Sequence, residues 1–248
     1  MLQFEPVIWL QGKAQKLPTF AGDQDGIAYS ANARGQLVGG SGSCVAFDPD
    51  YGAPLQPKHA LMWQNGTVLD LGNLGGAINN IAFTIDNAGE VGGTSGLPGD
   101  QANHAFLWQN GVMTDLGVLP GDVESGALGV SGGQVVGGSF DANGNSRAFL
   151  WQNGVMTDLN DLISDGPPLF LLQASAINSE GQIAGFAFRT DTGEVHAFLA
   201  TPNHENAPAS QTGRIEPSLR VMLPENIRTL LQGRVRLGRI GSLAHHSQ

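Results

Sequence analysis

Lysine is scarce in this sequence, and charged residues of either sign are few. Among 248 residues only Lys13, Lys16 and Lys58 are lysines, and charged residues make up 14% of the chain. The net charge is −10, but residues 1–202 carry a net −13 whereas residues 203–248 carry a net +3. An acidic body repels the phosphate backbone, so we expect no nucleic-acid partner.

Several other features are missing. The single cysteine, Cys44, excludes an internal disulfide. No apolar run approaches the roughly 18 residues of a membrane span, so we expect no transmembrane segment. The opening residues lack a basic stretch followed by an apolar one, so no signal peptide is visible. Neither a nucleophile elbow, a phosphate loop nor a paired-cysteine metal motif occurs, and no catalytic residue is predicted.

Glycine, in contrast, is abundant, with 36 residues, and it punctuates a repeat. The twelve residues AFLWQNGVMTDL occur at 105–116 and recur unchanged at 148–159. The following residues recur in register, at intervals of 54, 45, 43 and 49: Trp9, Trp63, Trp108, Trp151 and Ala200. A period of about 40–50 residues is typical of propellers and other arrays.

Each repeat contains four short apolar pieces of strand length. The first is rich in alanine, the second follows a glycine, the third resembles HAFLW and the fourth resembles VMTDL. An Asn-Gly pair joins the third piece to the fourth, and an Asn or Asp three residues before a glycine joins most first pieces to the second. We therefore predict antiparallel strands joined by tight hairpins. Equivalent glycines in the second strand predict a close backbone approach: Gly39, Gly93, Gly137 and Gly185.

This pattern predicts an all-β fold, a β-propeller or propeller-like arc of about four four-stranded blades. Residues 1–202 form this domain, with the tryptophans of the third strands buried between blades. Two interpretations of the N-terminus stay open. Either AQKL (14–17) completes the last blade by strand exchange, which leaves VIWL (7–10) surplus, or residues 7–17 are the back half of a fifth, partial blade.

A family resemblance rests on the same residues. HAFLWQNGVMTDLG, the alanine run that ends in IN and the GQVVG piece together resemble the extracellular HAF-repeat family of bacterial proteins, over residues 7–202. The resemblance implies a secreted propeller protein with no assigned reaction, located outside the cell or on its surface. The doubled glycine of the second strand is also similar to kelch repeats.

Repeat-equivalent histidines and aspartates invite a chemical interpretation. A metal site is disfavoured, because equivalent positions of different blades lie around a ring and the fourth copy has Arg147 in place of histidine. We expect each histidine to bond a loop of its own blade and each aspartate to accept hydrogen bonds at a strand end. These residues are His59, His104, His196, Asp70, Asp115 and Asp158.

The connections between second and third strands vary most, and variable loops on a constant scaffold are where ligands usually bind. These connections are 42–58, 95–103, 139–146 and 186–194, which we expect to share one face. The predicted ligand-binding residues are Asp48, Asp50, Asp100, Asp141, Asn143 and Asp191. Asp141, Asn143 and Asn145 alternate like the first half of a calcium loop, although Gln152 replaces its closing acid. We expect no other cofactor.

Residues 203–248 form a polar linker and a basic, partly helical tail. LPENIRTLLQG (223–233) predicts a short helix that stops at Gly233, either docked on the propeller or offered to a partner or an acidic membrane surface. Overall composition and motifs favour a non-enzymatic, monomeric repeat scaffold that binds a protein or glycan. The alternative is a propeller-type polysaccharide lyase or glycoside hydrolase.

Overall fold

The computed structural model describes residues 4–44, 55–163, 168–202 and 221–235. Within these ranges the chain forms five antiparallel sheets of two to four strands and one α-helix. The all-β prediction is confirmed, and the strand-rich part ends at Ala200, close to the predicted boundary at residue 202.

Three consecutive sheets have four strands each, hydrogen-bonded in chain order. The first four-stranded sheet contains β3 (Asp25–Ala31), β4 (Leu37–Cys44), β5 (Leu55–Gln64) and β6 (Thr67–Asp70). The second contains β7 (Ile81–Ile85), β8 (Val91–Gly96), β9 (Asn103–Gln109) and β10 (Val112–Asp115). The third contains β11 (Glu124–Ser131), β12 (Gln134–Phe140), β13 (Ser146–Gln152) and β14 (Val155–Asp158).

The two ends of the array have fewer strands. The N-terminal hairpin contains β1 (Val7–Leu10) and β2 (Lys13–Lys16), and the last sheet contains β15 (Leu169–Ile177), β16 (Ile183–Arg189) and β17 (Val195–Ala200). Among the described residues β2 is hydrogen-bonded to β1 and not to β17, so strand exchange through AQKL is wrong. The prediction of about four four-stranded blades is corrected to three, flanked by two incomplete sheets.

The hairpins have the predicted turn chemistry. Asn110 and Gly111 both have positive φ, 51° and 87°, as a two-residue turn between antiparallel strands requires. The turn between β3 and β4 is held instead by Asn32, whose side-chain oxygen accepts hydrogen bonds from the backbone N–H groups of Arg34 and Gln36, both at 3.0 Å. Equivalent residues form the same turns elsewhere: Asn65, Asp86, Asn153 and Asn178.

The second-strand glycines lie against a neighbouring backbone, as predicted. A Cβ atom at Gly137 would stand 1.9 Å from the carbonyl oxygen of Gly126, a distance that no side chain tolerates. The other three glycines make an equivalent approach at 2.0 to 2.1 Å. Opposite them the first strand of each sheet contains a β-bulge, which the sequence did not predict. The bulged residues are Tyr29, Phe83, Leu128 and Ser175.

The hydrophobic core is divided among the spaces between consecutive sheets. In one such space Ala60 and Met62 of β5 share a buried cluster with Phe106 of β9. Trp63 is also buried, and its indole N–H donates a 2.6 Å hydrogen bond to the carbonyl of Pro18. Trp108 and Trp151 are partly buried and pack on clusters formed by consecutive sheets, so the predicted tryptophan burial is complete for Trp63 and partial for the other two.

The tail contains helix α1 (Glu225–Val235), which docks against the third four-stranded sheet and the last sheet. Leu231 of the helix and Leu223 before it pack in a cluster with Phe170, Leu172 and Phe188. A docked helix was one of the two interpretations of the sequence. Its predicted stop at Gly233 is wrong, since α1 includes that residue and continues to Val235.

Candidate functional site

The sheets are aligned so that their turns lie on two opposite sides of the array. Turns between first and second strands bond to one another: the Asn32 side chain donates to the carbonyl of Asp86 at 2.9 Å, and the N–H of Gly133 donates to Glu90 at 2.6 Å. We call this the hairpin side. Since the second strand runs away from the hairpin side and the antiparallel third strand returns toward it, the connections between them emerge on the opposite side, the connection side.

The connections are shorter than the sequence indicated, because the second and third strands of each sheet extend further into them. The described connections are 97–102, 141–145 and 190–194. The fourth, residues 45–54, lies outside the described residues, and with it Asp48 and Asp50. Their role as ligand contacts stays a prediction. The remaining four predicted residues are Asp100, Asp141, Asn143 and Asp191, and all lie on described connections.

Asp100 ties two loops of its own sheet together. One carboxylate oxygen accepts hydrogen bonds from the backbone N–H groups of Ala77 at 2.8 Å and Ile78 at 3.3 Å. Ala77 and Ile78 belong to the loop that leads into β7, and Asp100 itself has a positive φ of 55°. The side chain is therefore committed to loop structure, and a ligand would meet the exposed neighbour Gln101.

Asp141 is buried and organises the connection 141–145. Its Oδ1 accepts from the backbone N–H groups of Asn143 and Asn145, both at 2.9 Å, and its Oδ2 accepts from the Asn145 side chain at 2.9 Å. A calcium ion bound here would have to displace the N–H donors that already occupy both carboxylate oxygens of Asp141. No three His, Cys, Asp or Glu side chains of the described ranges converge as metal ligands would. Calcium binding through Asp141, Asn143 and Asn145 stays a prediction.

The tail helix contacts the same connection. Arg228 of α1 donates to the carbonyl of Asn143 at 3.0 Å, and the N–H of Leu223 donates to the Asn145 side chain at 3.1 Å. The helix therefore lies on the connection side and covers part of it. Asn143 keeps an exposed side chain beside this contact.

The connection 190–194 presents ion pairs in full contact with solvent. Arg189 makes two hydrogen bonds to the Asp191 carboxylate, at 2.9 and 2.6 Å, and this contact lowers the pKa of Asp191. The hydrogen bond from His196 to Glu194, followed by one from Thr192, lowers the pKa of Glu194. Both carboxylates remain ionised at neutral pH, so this connection is a charged and exposed surface.

Each histidine contacts a carboxylate of its own sheet. For His59 and His196 that carboxylate lies in a loop, as expected, whereas the partner of His104 lies on a strand. His59 contacts Asp23 at 2.8 Å, in the loop before β3, and His104 contacts Asp115 of β10 at 2.9 Å. Partial burial raises the pKa of Asp115, but the hydrogen bonds from His104 and from the Gly117 N–H outweigh it, so the pKa lies below its ordinary value.

Arg147 takes the histidine position in the third four-stranded sheet and forms a buried ionic cluster. Its guanidinium contacts Asp122 at 2.9 Å and Asp158 at 3.0 Å, and all three side chains are nearly excluded from solvent. Nearby, partial burial and the charge of Asp158 raise the pKa of Asp161. The cluster borders a small polar crevice that also includes Asp141 and Asn145.

One constellation was missed from the sequence: Ser41, Asp23 and His59. Ser41 donates to the Asp23 carboxylate at 2.5 Å, and His59 contacts the same oxygen at 2.8 Å. Acyl transfer needs the imidazole between the hydroxyl and the acid, whereas here the acid lies between them. Ser41 is also fully buried, and it accepts a hydrogen bond from the Phe20 N–H. The signal that could have found it is the shared Gly-Asp pair before the first strand, Gly22-Asp23 and Gly121-Asp122.

The fourth-strand aspartates end their strands as predicted. Asp70, Asp115 and Asp158 each accept a hydrogen bond from the backbone N–H two residues later, at 2.8 to 2.9 Å. Buried serines have an equivalent structural role: Ser95 and Ser139 accept from the backbone N–H groups of Leu74 and Leu119, as Ser41 does from Phe20. The conspicuous polar residues of the repeat therefore hold loops in place.

Comparisons with known proteins add little. No protein-family model and no curated protein matches the chain. Among solved structures, an acylaminoacyl peptidase of Pyrococcus horikoshii is similar with a TM-score of 0.44 and 13% sequence identity, over 76% of this chain and 27% of that chain. The chain thus spans little more than a quarter of that protein. Within the described ranges no helix combines the length and apolar character needed to cross a bilayer.

Proposed function

We propose that this protein is a non-enzymatic, propeller-like scaffold that binds a protein or glycan ligand through its connection side. The observation that carries the proposal is the alignment of the sheets. Turns of constant chemistry bond to one another on the hairpin side, while connections of differing sequence emerge together on the other side. Such a separation of a constant frame from variable loops is typical of binding proteins.

The propeller-like arrangement is supported by how the sheets contact one another. The first strands β3, β7, β11 and β15 contact their neighbours in series, so they line the inner edge of the stack. The second and third strands of each sheet contact the first strand of the next one. Radial stacking of four-stranded sheets around their first strands is the arrangement of propeller blades. With the N-terminal hairpin as a partial blade, the array is an arc of five units.

The polar clusters of the repeat favour binding over catalysis. The His59 and Arg147 sites are closed on themselves by ion pairs and hydrogen bonds, and each serves its own sheet. Exposed polar side chains, by contrast, cluster on the described connections, where Gln101, Asn143 and Thr192 are accessible. The HAF-like repeat units suggest an exported protein, so the proposed ligands are extracellular glycans or proteins.

The experiment uses the purified full chain in a glycan array and against a panel of extracellular proteins. The tightest binder is then titrated against two matched triple variants, which add the same charge to opposite sides. Gln101→Lys, Asn143→Lys and Thr192→Lys change the connection side, and Ala33→Lys, Ala88→Lys and Ser179→Lys change the hairpin side. All six positions are exposed.

The connection-side variant is expected to bind at least about tenfold more weakly, because rim charges and contact residues both change. The hairpin-side variant is expected to bind as the unmodified chain does. Equal loss in both variants, or loss only in the second, would place the ligand elsewhere. Cleavage of any array glycan by the unmodified chain would replace the binding function with a lyase or hydrolase.

A further inference from the structure

The outer face of the N-terminal hairpin exposes side chains whose equivalents are buried inside the array. Trp9 pairs with Ala14 next to a two-residue turn, as Trp63 pairs with Val68 in the first four-stranded sheet. Trp9 is 69% exposed, whereas Trp63 is 1% exposed. Val7 is also exposed, although its equivalent Leu61 is fully buried.

The outer face of the last sheet has the same property. Leu199 lies opposite Ala184 in the register, as Leu107 lies opposite Gly92 in the second four-stranded sheet. Leu199 is 68% exposed, whereas Leu107 is 2% exposed. Ala197, two residues earlier on the same face, is exposed too. Two apolar surfaces are therefore uncovered, one at each end of the array.

The interior of the array shows which surfaces these two faces pack against. The face of β5 with Ala60 and Met62 receives Phe106 and Trp108 of the next sheet. The face of β9 with Ala105 and Leu107 receives Phe149 and Trp151 in the same way. In both spaces the alanine and leucine (or methionine) face of one sheet packs on the aromatic face of its successor. By register, Ala197 and Leu199 form a face of the first kind, and Val7 and Trp9 form a face of the second kind.

We propose that the outer face of the last sheet binds the N-terminal hairpin of a second copy of this chain. Trp9 and Val7 of one copy would pack on Leu199 and Ala197 of the other, which repeats the contact found between the inner sheets. Both faces are uncovered in the same molecule, so the two ends do not cover one another within one chain. The proposal replaces the monomer expected from the sequence.

The contact is head-to-tail, because each copy supplies a different face. A contact of this kind either closes a ring or continues into a chain of molecules. It also predicts how variants behave: a copy substituted at one end keeps an intact face at the other end. Two copies substituted at opposite ends can therefore form one contact and no more.

The test follows from this asymmetry. Trp9→Glu and Leu199→Glu are made in the full chain, with Val112→Glu as a matched control on β10, away from both ends and 63% exposed. Sedimentation velocity across a concentration series measures association, and circular dichroism confirms that each variant keeps its β spectrum. All three sites are exposed, so folding is expected to survive.

The unmodified chain and Val112→Glu are expected to associate alike as concentration rises. Each end variant alone is expected to associate at least about 30-fold more weakly than the unmodified chain, because an interfacial tryptophan contact is lost or opposed by charge. An equimolar mixture of Trp9→Glu with Leu199→Glu is expected to form a dimer and nothing larger.

Other outcomes overturn the proposal. An unmodified chain that stays monomeric at every concentration shows that no second copy binds. A mixture of the two end variants that stays monomeric, while the unmodified chain associates, shows that Trp9 of one copy does not pack on Leu199 of another. Association that only one end variant retains indicates contact between identical faces. Association that both end variants retain indicates a different surface, including pairing through the free edge of β17.

Discussion

The histidine or arginine of the third strand meets a carboxylate in each sheet, but the carboxylate comes from different places. His59 contacts Asp23, which precedes the first strand, whereas His104 contacts Asp115 of the fourth strand. Arg147 contacts acids from both places at once, since its guanidinium has donors on two nitrogens. This position thus has a histidine where one acid is in contact and an arginine where two acids are in contact.

Among substitutions of single charged residues, we expect a change at Arg147 to lower the free energy of unfolding most. Arg147→Met would leave the buried carboxylates of Asp122 and Asp158 without a compensating charge. We expect a loss of about 3–5 kcal/mol in the free energy of unfolding, measured by urea titration at pH 7. The control is Arg189→Met, whose partner Asp191 is exposed, with a much smaller expected loss because solvent screens that pair. Equal losses in both variants would contradict a special role for burial.

The contact between His104 and Asp115 predicts a pH-dependent contribution to stability. The pKa of Asp115 is lowered in the folded state, so the stabilisation is present above the unfolded pKa of about 4 and is lost as pH falls through the folded pKa. His104→Ala is expected to raise the pKa of Asp115, followed by NMR titration. It should cost at most about 1 kcal/mol at pH 6, because Asp115 is 43% exposed and solvent screens the pair.

The difference in stability between His104→Ala and the unmodified chain should shrink as pH falls through the folded pKa of Asp115, because the carboxyl then becomes protonated. His196→Ala, which alters a more exposed pair with Glu194, is the matched control and should change stability less. A constant difference between His104→Ala and the unmodified chain at all pH values would show that the cost arises from packing alone.

At the scale of a single element, the first two strands of each sheet form a unit joined by a bulge and a glycine. The bulge at Leu128 brings the backbone at Gly126 toward the second strand, where only a residue without Cβ fits. The same pair of features recurs in all four copies. The second strand therefore has no room for a side chain at this glycine.

Substitution of neighbouring glycines tests this unit. Gly137→Ala would place a Cβ 1.9 Å from the Gly126 carbonyl, so the strands must separate; we expect a loss of about 3 kcal/mol or more. At the adjacent Gly138 the nearest atoms are side chains at 3.2 to 3.4 Å, which can shift. Gly138→Ala is expected to cost about 1 kcal/mol in the same thermal or urea unfolding experiment. Similar losses in the two variants would argue against the backbone approach.

How far the sequence predicts these elements depends on how local the cause is. Asn110-Gly111 and Asn32 determine turns through bonds within a few residues, so both were predictable. The bulge at Phe83 has no local sequence mark, and the partner of His59 lies 36 residues away in the chain. Trp108 and Trp63 have the same sequence context but differ in burial, because the segment that covers Trp63 comes from the N-terminus. The repeat period of the sequence does not predict contacts between separate elements.

At the scale of the whole molecule, position in the array determines what a residue contributes. Each buried cluster is built by two consecutive sheets, and the end sheets have a neighbour on one side only. Identical side chains at identical register positions consequently lie in different environments. The stability of the molecule is distributed over interfaces and is smallest at its ends.

The leucines of the third strands test this gradient. Leu107→Ala removes a buried side chain between two sheets and should cost about 2–5 kcal/mol. Leu199→Ala changes the equivalent residue on the uncovered face and should alter stability by about 0.5 kcal/mol or less, measured at a concentration low enough to keep the chain monomeric. A large loss in Leu199→Ala under those conditions would show that this face is covered within the chain.

The division of the core into separate spaces between sheets also bears on how the chain folds. In the part of the chain that the structure describes, the extensive contacts between sheets link neighbouring sheets, and neighbouring sheets are neighbours in the chain. Folding can therefore nucleate at any one interface and propagate in both directions, as in other repeat arrays. In native-state hydrogen exchange, amides of β1 and β17 are expected to open first, while those of β8 and β12 open last. Unfolding would then begin at the two end sheets and proceed inward, and it would not be a single all-or-none transition.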